Sequence, residues 1–494
     1  ASNGMNVYGD PYGDSRGVSY FGRVNYDYNE TYMLTAIIRA DGTSTFAPGH
    51  RWGYFPSFSA GWVVSNEKFM QGVQDWMDYF KIRASWGQNG NKNLLNGSNF
   101  AYQATFEYGT RYNYSFDNNK DGYTVGAAPS RLANDELTWE TSEQTDLGFD
   151  ARFFRQRLNV NFDWYYKKTK DLLVQVPVAA TSGFSNQWKN AGTVRNTGVE
   201  LALDWQDKIG GDFSYGVNYN VAFNSNKVTE VNSQRKYMEG GNDLLAQGAG
   251  IIARFEEGHP IGYFYGYKTA GPIQNDADLQ AYIAENCNGD AANSLQGKGL
   301  KAGDLKFQDV NGDGKINSED KTELGDPNPN VTMGLTLSAA YRGFDFAVTG
   351  YAALGQQVAR SYRKFTDGEQ ENYTSEVYSY WNGEGTSDKY PLLARMNEGV
   401  NWQAMSDIYI EDAGYFRLQN LTLGYDFKHL WKACPFQQLR LYFAAQNLFT
   451  ITDYKGMDPE NGMALNGSEP WVTGVDVGNY PQPRTFMFGV NVKF

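Results

Sequence analysis

The stretch LNVNFDWYYK, residues 158–167, decides the fold class. Leu158, Val160, Phe162, Trp164 and Tyr166 share one parity, while Asn159, Asn161, Asp163, Tyr165 and Lys167 share the other. Side chains alternate across a strand, so this spacing predicts a strand with one apolar and one wet face. The pattern recurs down the chain. Val199, Leu201, Leu203 and Trp205 oppose Glu200, Ala202 and Asp204, and Phe213, Tyr215, Val217, Tyr219, Val221 and Phe223 oppose Ser214, Gly216, Asn218, Asn220 and Asn224. Val331, Met333, Leu335, Leu337 and Tyr341 oppose Thr332, Gly334, Thr336 and Ser338, and the last run sets Phe486, Phe488, Val490, Val492 and Phe494 against Thr485, Asn491 and Lys493.

A soluble sandwich alternates too, so other features decide what the apolar side faces. The runs are about 10–13 residues long, against about 5–6 for an ordinary soluble strand, which matches hydrocarbon thickness at barrel tilt. Their polar faces are rich in Asn, Ser and Gly, and aromatics gather toward the strand ends like interfacial girdles. Connections alternate between tight, at Arg155-Gln156, Gly210-Gly211 and Arg342-Gly343, and long, at about 87–137, 225–327, 359–414 and 453–483. Short periplasmic turns and long outer loops produce that asymmetry. A mean hydropathy of −0.58 and the lack of a long apolar run exclude membrane-spanning helices, but barrel strands face lipid only at alternate residues and stay allowed.

The expected strands are 17–28, 30–43, 53–65, 76–90, 138–153, 157–174, 196–207, 211–224, 328–341, 344–358, 415–427, 439–452 and 483–494. This predicts an all-β fold over 1–494, a partial antiparallel transmembrane barrel with long extracellular loops. Thirteen is odd, whereas single-chain bacterial barrels have even counts, so the start of the barrel is expected to be missing. Residues 1–16, with Gly4, Gly9, Pro11 and Gly13, read as the tail of a loop, and a start at Ala1 without an initiator Met, basic segment or apolar segment suggests a mature or truncated piece. One short helix is expected at Asp276–Asn286, which has an acidic start.

Composition excludes several functions. Net charge is −13, from 43 Lys and Arg against 56 Asp and Glu, so a counterion-releasing grip on nucleic acid is not expected. Cys287 and Cys434 form no disulfide framework, and His50, His259 and His429 are too scattered for a zinc site. Gly13-Asp14-Ser15-Arg16-Gly17 has nucleophile-elbow spacing but lies in a loop before a strand, with no nearby histidine as base. No catalytic residues are assigned, and the chain is not read as an enzyme.

Blocks along nearly the whole chain resemble the SusC-like (SusC/RagA) TonB-dependent transporters of the Bacteroidetes outer membrane. They are GRVNYDYNETYMLTAIIRADGTSTFAPGHRWGYFPSFSAGW at 22–62, FKIRASWGQNGN at 80–91, NAGTVRNTGVELAL at 190–203, GDLKFQDVNGDGKINSEDKTELGDPNPNVTMGL at 303–335, DAGYFRLQNLTLGYDF at 412–427 and the terminal Phe494. The resemblance implies the C-terminal strands of a 22-stranded barrel, with the family's plug and TonB-contacting segment outside this sequence. It further implies energy-dependent import across the outer membrane of a Gram-negative bacterium, of a glycan oligosaccharide or a peptide, with a SusD-like surface lipoprotein. A passive porin or receptor, and a secreted soluble β-sandwich, are the rival readings.

Two sets of residues are candidate sites. Asp309, Asn311, Asp313, the Lys315 carbonyl and Asp320, with Gly314 at the turn, follow an EF-hand loop and predict a calcium ion inside the 225–327 loop. The other reading of the same residues is an Asx-rich turn without an ion. Aromatics amid amides and carboxylates suit sugar rings or peptides: Phe106, Tyr108, Tyr112, Tyr114 and Phe116 in one loop, and Tyr373, Tyr378, Tyr380, Trp381 and Trp402 in another. Tyr112, Tyr373, Trp381 and Trp402 are taken as substrate contacts. Packing of these rings within the loops is the competing expectation.

Overall fold

A computed structural model describes residues 15–93, 100–108, 113–115, 126–184, 186–232, 236–242, 244–245, 249–361, 375–393, 399–460 and 469–494. Thirteen strands form one antiparallel sheet in chain order. They are β1 Gly17–Tyr28, β2 Tyr32–Thr43, β3 Trp52–Val63, β4 Met77–Asn91, β5 Glu140–Phe153, β6 Leu158–Lys170, β7 Thr193–Ile209, β8 Phe213–Glu230, β9 Val331–Tyr341, β10 Phe344–Leu354, β11 Tyr415–Asp426, β12 Gln438–Thr452 and β13 Thr485–Lys493. All thirteen lie where the alternation places them. No helix is long and apolar enough to cross a membrane.

Register carries the parity of each strand into the next. Phe149 faces Phe162, which faces Leu201, then Val221, then Met333, so one apolar row crosses five strands. The neighbouring row runs from Asp150 through Asn161 and Ala202 to Asn220 and Gly334 on the other face. Aromatic contacts mark the short-turn end of the apolar face. Trp76 stacks on Phe153 at 5.9 Å, Phe213 meets Tyr341 at 6.4 Å, Phe344 meets Tyr425 at 4.3 Å, and Phe436 meets the terminal Phe494 at 5.3 Å. Rings with an apolar body suit the headgroup boundary.

Connections alternate without exception. Residues 29–31, 64–76, 154–157, 210–212, 342–343 and 427–437 lie at one end, and 44–51, 92–139, 171–192, 231–330, 355–414 and 453–484 at the other. Between β9 and β10 the turn is only Arg342 and Gly343, with φ of 44° and 90°, the left-handed geometry that a tight hairpin requires. In sequence the six long connections hold 36 Asp and Glu against 22 Lys and Arg, a net of −14 that accounts for the whole of the chain's −13.

The long connections build a packed cap of their own. Met238, Ile252, Phe255, Phe264, Ile273, Phe307, Tyr409 and Val472, from 231–330, 355–414 and 453–484, belong to one buried cluster that Val228 of β8 joins. Tyr237–Gly240, Ala253–Glu256, Tyr263–Tyr267 and Lys321–Gly325 form a four-stranded sheet within it. A helix, α1, spans Asp276–Asn286, where the Asn275 side chain caps the Asp278 amide.

Substitution of Leu201 by lysine, at the centre of the apolar row, is expected to destabilise the protein in bilayers by about 2–4 kcal/mol. Ala202→Lys, one residue along and facing water, is expected to cost far less, as read by urea unfolding in lipid vesicles.

Candidate functional site

The wet face of the sheet is ordered by side chains that meet across an intervening strand. Arg83 of β4 bridges Asp163 of β6 at 2.9 Å over β5, where Gly148 stands between them. A Cβ on Gly148 would fall 2.2 Å from Asp163 Oδ1. The same device recurs at Gly198, over which the Tyr165 hydroxyl donates to Asn224 Oδ1 at 2.9 Å, and at Gly424, over which Arg440 reaches Asp345 at 2.5 Å. Part-exposed pairs of this kind contribute about 0–1 kcal/mol each, so their main effect is to fix where charges stand on the wall.

Two stretches fold back onto this face at its long-loop end. Arg417 of β11, 4% exposed, is held by Asp458 at 2.5 Å and Glu460 at 2.7 Å from the 453–484 connection. Near β1–β4, Phe46, Phe55, Ala101, Leu137, Trp139, Leu173 and Trp188 make a second buried cluster. Phe55 lies flat against Gly90, where a Cβ would come within 1.9 Å of its ring.

Beside that cluster a cleft of about 620 Å³ opens at the rim, its lining including Ser19, Arg39, Asp41, Ser57, Gln88, Asn89, Asn91 and Lys92, with Phe55 and Trp139 at its floor. Asp41 is satisfied inside the protein, accepting from the Ser19 hydroxyl at 2.5 Å and from Arg39 Nε at 2.6 Å. Ser57, Gln88 and Asn89 have no hydrogen-bond partner for their side chains among the described residues, and Lys92 only reaches Thr43 Oγ1 at 3.5 Å. None of these residues was nominated from sequence. The available signal is QNGNK at 88–92, where alternation gives way to consecutive amides at a strand end.

The residues nominated from sequence fare differently. Tyr112 and Tyr373 lie outside the described residues, as does Phe116. Trp402 is 9% exposed, with its indole N–H donated to the Leu392 carbonyl at 3.2 Å and its ring 5.2 Å from Tyr380. That burial places it in the cap core. Trp381 is half-buried against Gly303, where a Cβ would meet its ring at 2.6 Å. Tyr378, by contrast, is 87% exposed.

In the Asp-rich loop every nominated carboxylate is turned to backbone. Asp309 accepts from the Gly312 and Gly314 amides at 2.7 Å each, Asn311 from Asp313 at 2.9 Å, and Asp313 from Lys315 at 2.8 Å. Asp320, fully buried, accepts from Val310 at 2.9 Å and Asn317 at 2.8 Å. Among the described residues no group of three or more His, Cys, Asp or Glu side chains is gathered to hold a metal. Elsewhere in the cap, burial pushes the Asp304 carboxyl above the usual carboxylate range, partly opposed by Asn401, which donates to it at 2.7 Å. Burial likewise raises the thiol of Cys287, and both cysteines are free.

The family profile described as "TonB dependent receptor-like, beta-barrel" matches residues 1–448. The chain belongs to the TonB-dependent receptor β-barrel family. As such it is an outer-membrane protein. It is 32% identical over 486 residues to TonB-dependent receptor P3 of Formosa agariphila, across 97% of this chain and 45% of that protein. It is 31% identical over 484 residues to TonB-dependent receptor SusC of Bacteroides thetaiotaomicron, across 97% and 44%. The chain thus spans about half the length of these TonB-dependent receptors. Among solved structures, the RagAB peptide transporter superposes with a TM-score of 0.74 at 23% identity, over 97% of this chain and 48% of that one. The RagAB importer in its "open-open" state gives 0.74 at 22%, over 97% and 47%. At these identities the likeness is one of fold.

In this receptor wall Gly148→Val is expected to displace Asp163 and break its bridge to Arg83, costing about 1–3 kcal/mol as an overpacking clash. Adding Asp163→Ala is expected to recover only part of that loss, because a Cβ at 148 would also lie 2.5 Å from the Phe162 carbonyl oxygen, and urea unfolding of the single and double variants measures the coupling.

Proposed function

We propose that this chain forms part of the wall and outer cap of an importer that carries a nutrient across the outer membrane. The nutrient is a glycan fragment in the first reading and a peptide in the second, and no catalysis is assigned. The observation that carries the proposal is a membrane sheet whose wet face is lined by fixed polar pairs and ends, on the long-loop side, in an amide-rich cleft. Family membership supports energy coupling through TonB, and similarity to SusC supports a SusD-type lipoprotein as partner at the long-loop end. The outer edges of β1 and β13 have no strand partner among the described residues. Hydrocarbon tolerates no open edge, so further strands of the same transporter are proposed to close the wall.

The native protein, purified from outer membranes in mild detergent, is expected to bring with it a plug-bearing portion and a large lipoprotein, identified by mass spectrometry. Uptake in whole cells is expected to stop when the inner-membrane gradient is dissipated. A chain recovered alone, with uptake indifferent to the gradient, would instead mean a passive porin or receptor.

Calcium at Asp309, Asn311, Asp313, Lys315 and Asp320 is a second proposal, supported by Asx turns at EF-hand spacing. To join such an ion, Asp320 would exchange its amide partners for the metal. Calcium titration is expected to raise the melting temperature and slow proteolysis within 303–325. If neither changes, the loop is an Asx turn closed by its own amides.

A further inference from the structure

We propose that the rim cleft receives an oligosaccharide bearing an anionic group, with ring hydroxyls on Ser57 and Asn89 and the anion against Lys92 and Arg39. The inference deepens the import reading and rests on it for the class of cargo.

The first argument is hydrogen-bond supply. The Asn89 amide offers donors and an acceptor, and the Ser57 hydroxyl offers both; alternation turns Gln88 to the other face with Trp86. A space lined by such groups without partners among the described residues is matched by a ligand rich in hydroxyls. An apolar peptide side chain finds no place here. Phe55 and Trp139 are 5% and 8% exposed, and Trp139 meets Phe55 at 5.6 Å and donates its indole N–H to the Arg51 carbonyl at 3.2 Å. Both rings are spent on packing, so recognition falls to the in-plane polar groups.

The second argument is charge. The cleft is lined by two cations, Arg39 and Lys92, and one carboxylate, Asp41. Arg39 uses only Nε on Asp41, and its two terminal nitrogens make no hydrogen bond among the described residues. Its side chain is 57% exposed. Glu140, which borders the cleft through Asn91, is taken up by the Asn91 amide at 3.3 Å and the Leu173 N–H at 3.3 Å. A positive balance is conspicuous in the end of the molecule that holds 36 acidic against 22 basic residues. At physiological salt, charges beyond about 8 Å are largely screened, so the nearby Lys92 and Arg39 govern what enters the cleft. A carboxylate or a sulfate on a sugar satisfies both cations by charge-assisted hydrogen bonds. Neutral sugars offer these two cations no charge beyond the single carboxylate of Asp41.

The test is calorimetric binding to the native transporter purified with whatever accompanies it. Four probes are compared: a short oligogalacturonate, a short sulfated galactan, a maltooligosaccharide and a short peptide. The expected result is binding of one or both anionic oligosaccharides, weakened by added salt. Lys92→Gln, which leaves the Arg39–Asp41 pair intact, is expected to lower that affinity about tenfold. Asn89→Ala is expected to weaken it as well, and unchanged heat-modifiable gel mobility controls for folding. The response to carboxylated against sulfated probe identifies the anion. Equal binding of maltooligosaccharide, or affinity unmoved by Lys92→Gln, overturns the cleft assignment. Gradient-dependent uptake separates the two readings. If uptake of some solute stops on dissipation but is untouched by Lys92→Gln, import stands and this cleft falls; if no uptake depends on the gradient, import falls while the calorimetry still decides the cleft.

Discussion

Hydrocarbon offers a backbone no hydrogen-bonding partner, and every other feature of this wall follows from that constraint. Each strand from β2 to β12 satisfies its amides and carbonyls on both neighbours in chain order, always antiparallel, and β1 and β13 do so on one side. Pairing fixes register, and register fixes parity, because a slip of one residue would turn Leu201 into the lumen and Ala202 into lipid. The apolar row from Phe149 to Met333 and the wet row beside it are therefore two expressions of a single ladder.

Water on the other face reverses the requirement. There the side chains must hold positions without the help of a packed core. Glycines at 148, 198 and 424 let long polar groups from the flanking strands meet over them. At the long-loop end the hydrophobic effect returns as the organising force. Phe255, Phe264, Phe307 and Ile252 are fully buried in a cap built from segments far apart in sequence. The cap is stapled to the wall at Val228 in β8, whose N–H donates to the His259 carbonyl at 2.8 Å and whose carbonyl accepts from Gly258 at 2.9 Å.

The wall was legible in the sequence because alternation long enough to span a bilayer is a strong local signal. All thirteen strands and α1 at Asp276–Asn286 were read, and the differences have local causes. β8 runs on to Glu230, beyond the expected 224, because its last residues trade the bilayer for the cap core, where Val228 is fully buried. β6 stops at Lys170, since Asp171 turns at φ 58° and Leu173–Pro177 pairs instead with Asn186–Asn190. β10 stops at Leu354, and Gln357–Arg360 joins Ile410–Asp412 and Val475–Asp476 in a small sheet. Such pairings are distant in sequence and leave no periodic trace. For the same reason the sequence could not separate Tyr378, which is exposed, from Tyr380 and Trp402, which are buried. The rim cleft draws Ser19, Arg39, Ser57 and Lys92 from four strands or strand ends, so only register brings them together.

The central claim is that one face of this sheet meets lipid and the other meets water. Single cysteines placed in turn at residues 199–205 of β7, in variants with Cys287 and Cys434 replaced by serine, can be labelled with an environment-sensitive fluorophore in native-like vesicles. Quenching by brominated lipid is predicted at 199, 201, 203 and 205, and quenching by aqueous iodide at 200, 202 and 204. Equal access of both quenchers along the strand, or iodide access at the odd positions, would contradict the account.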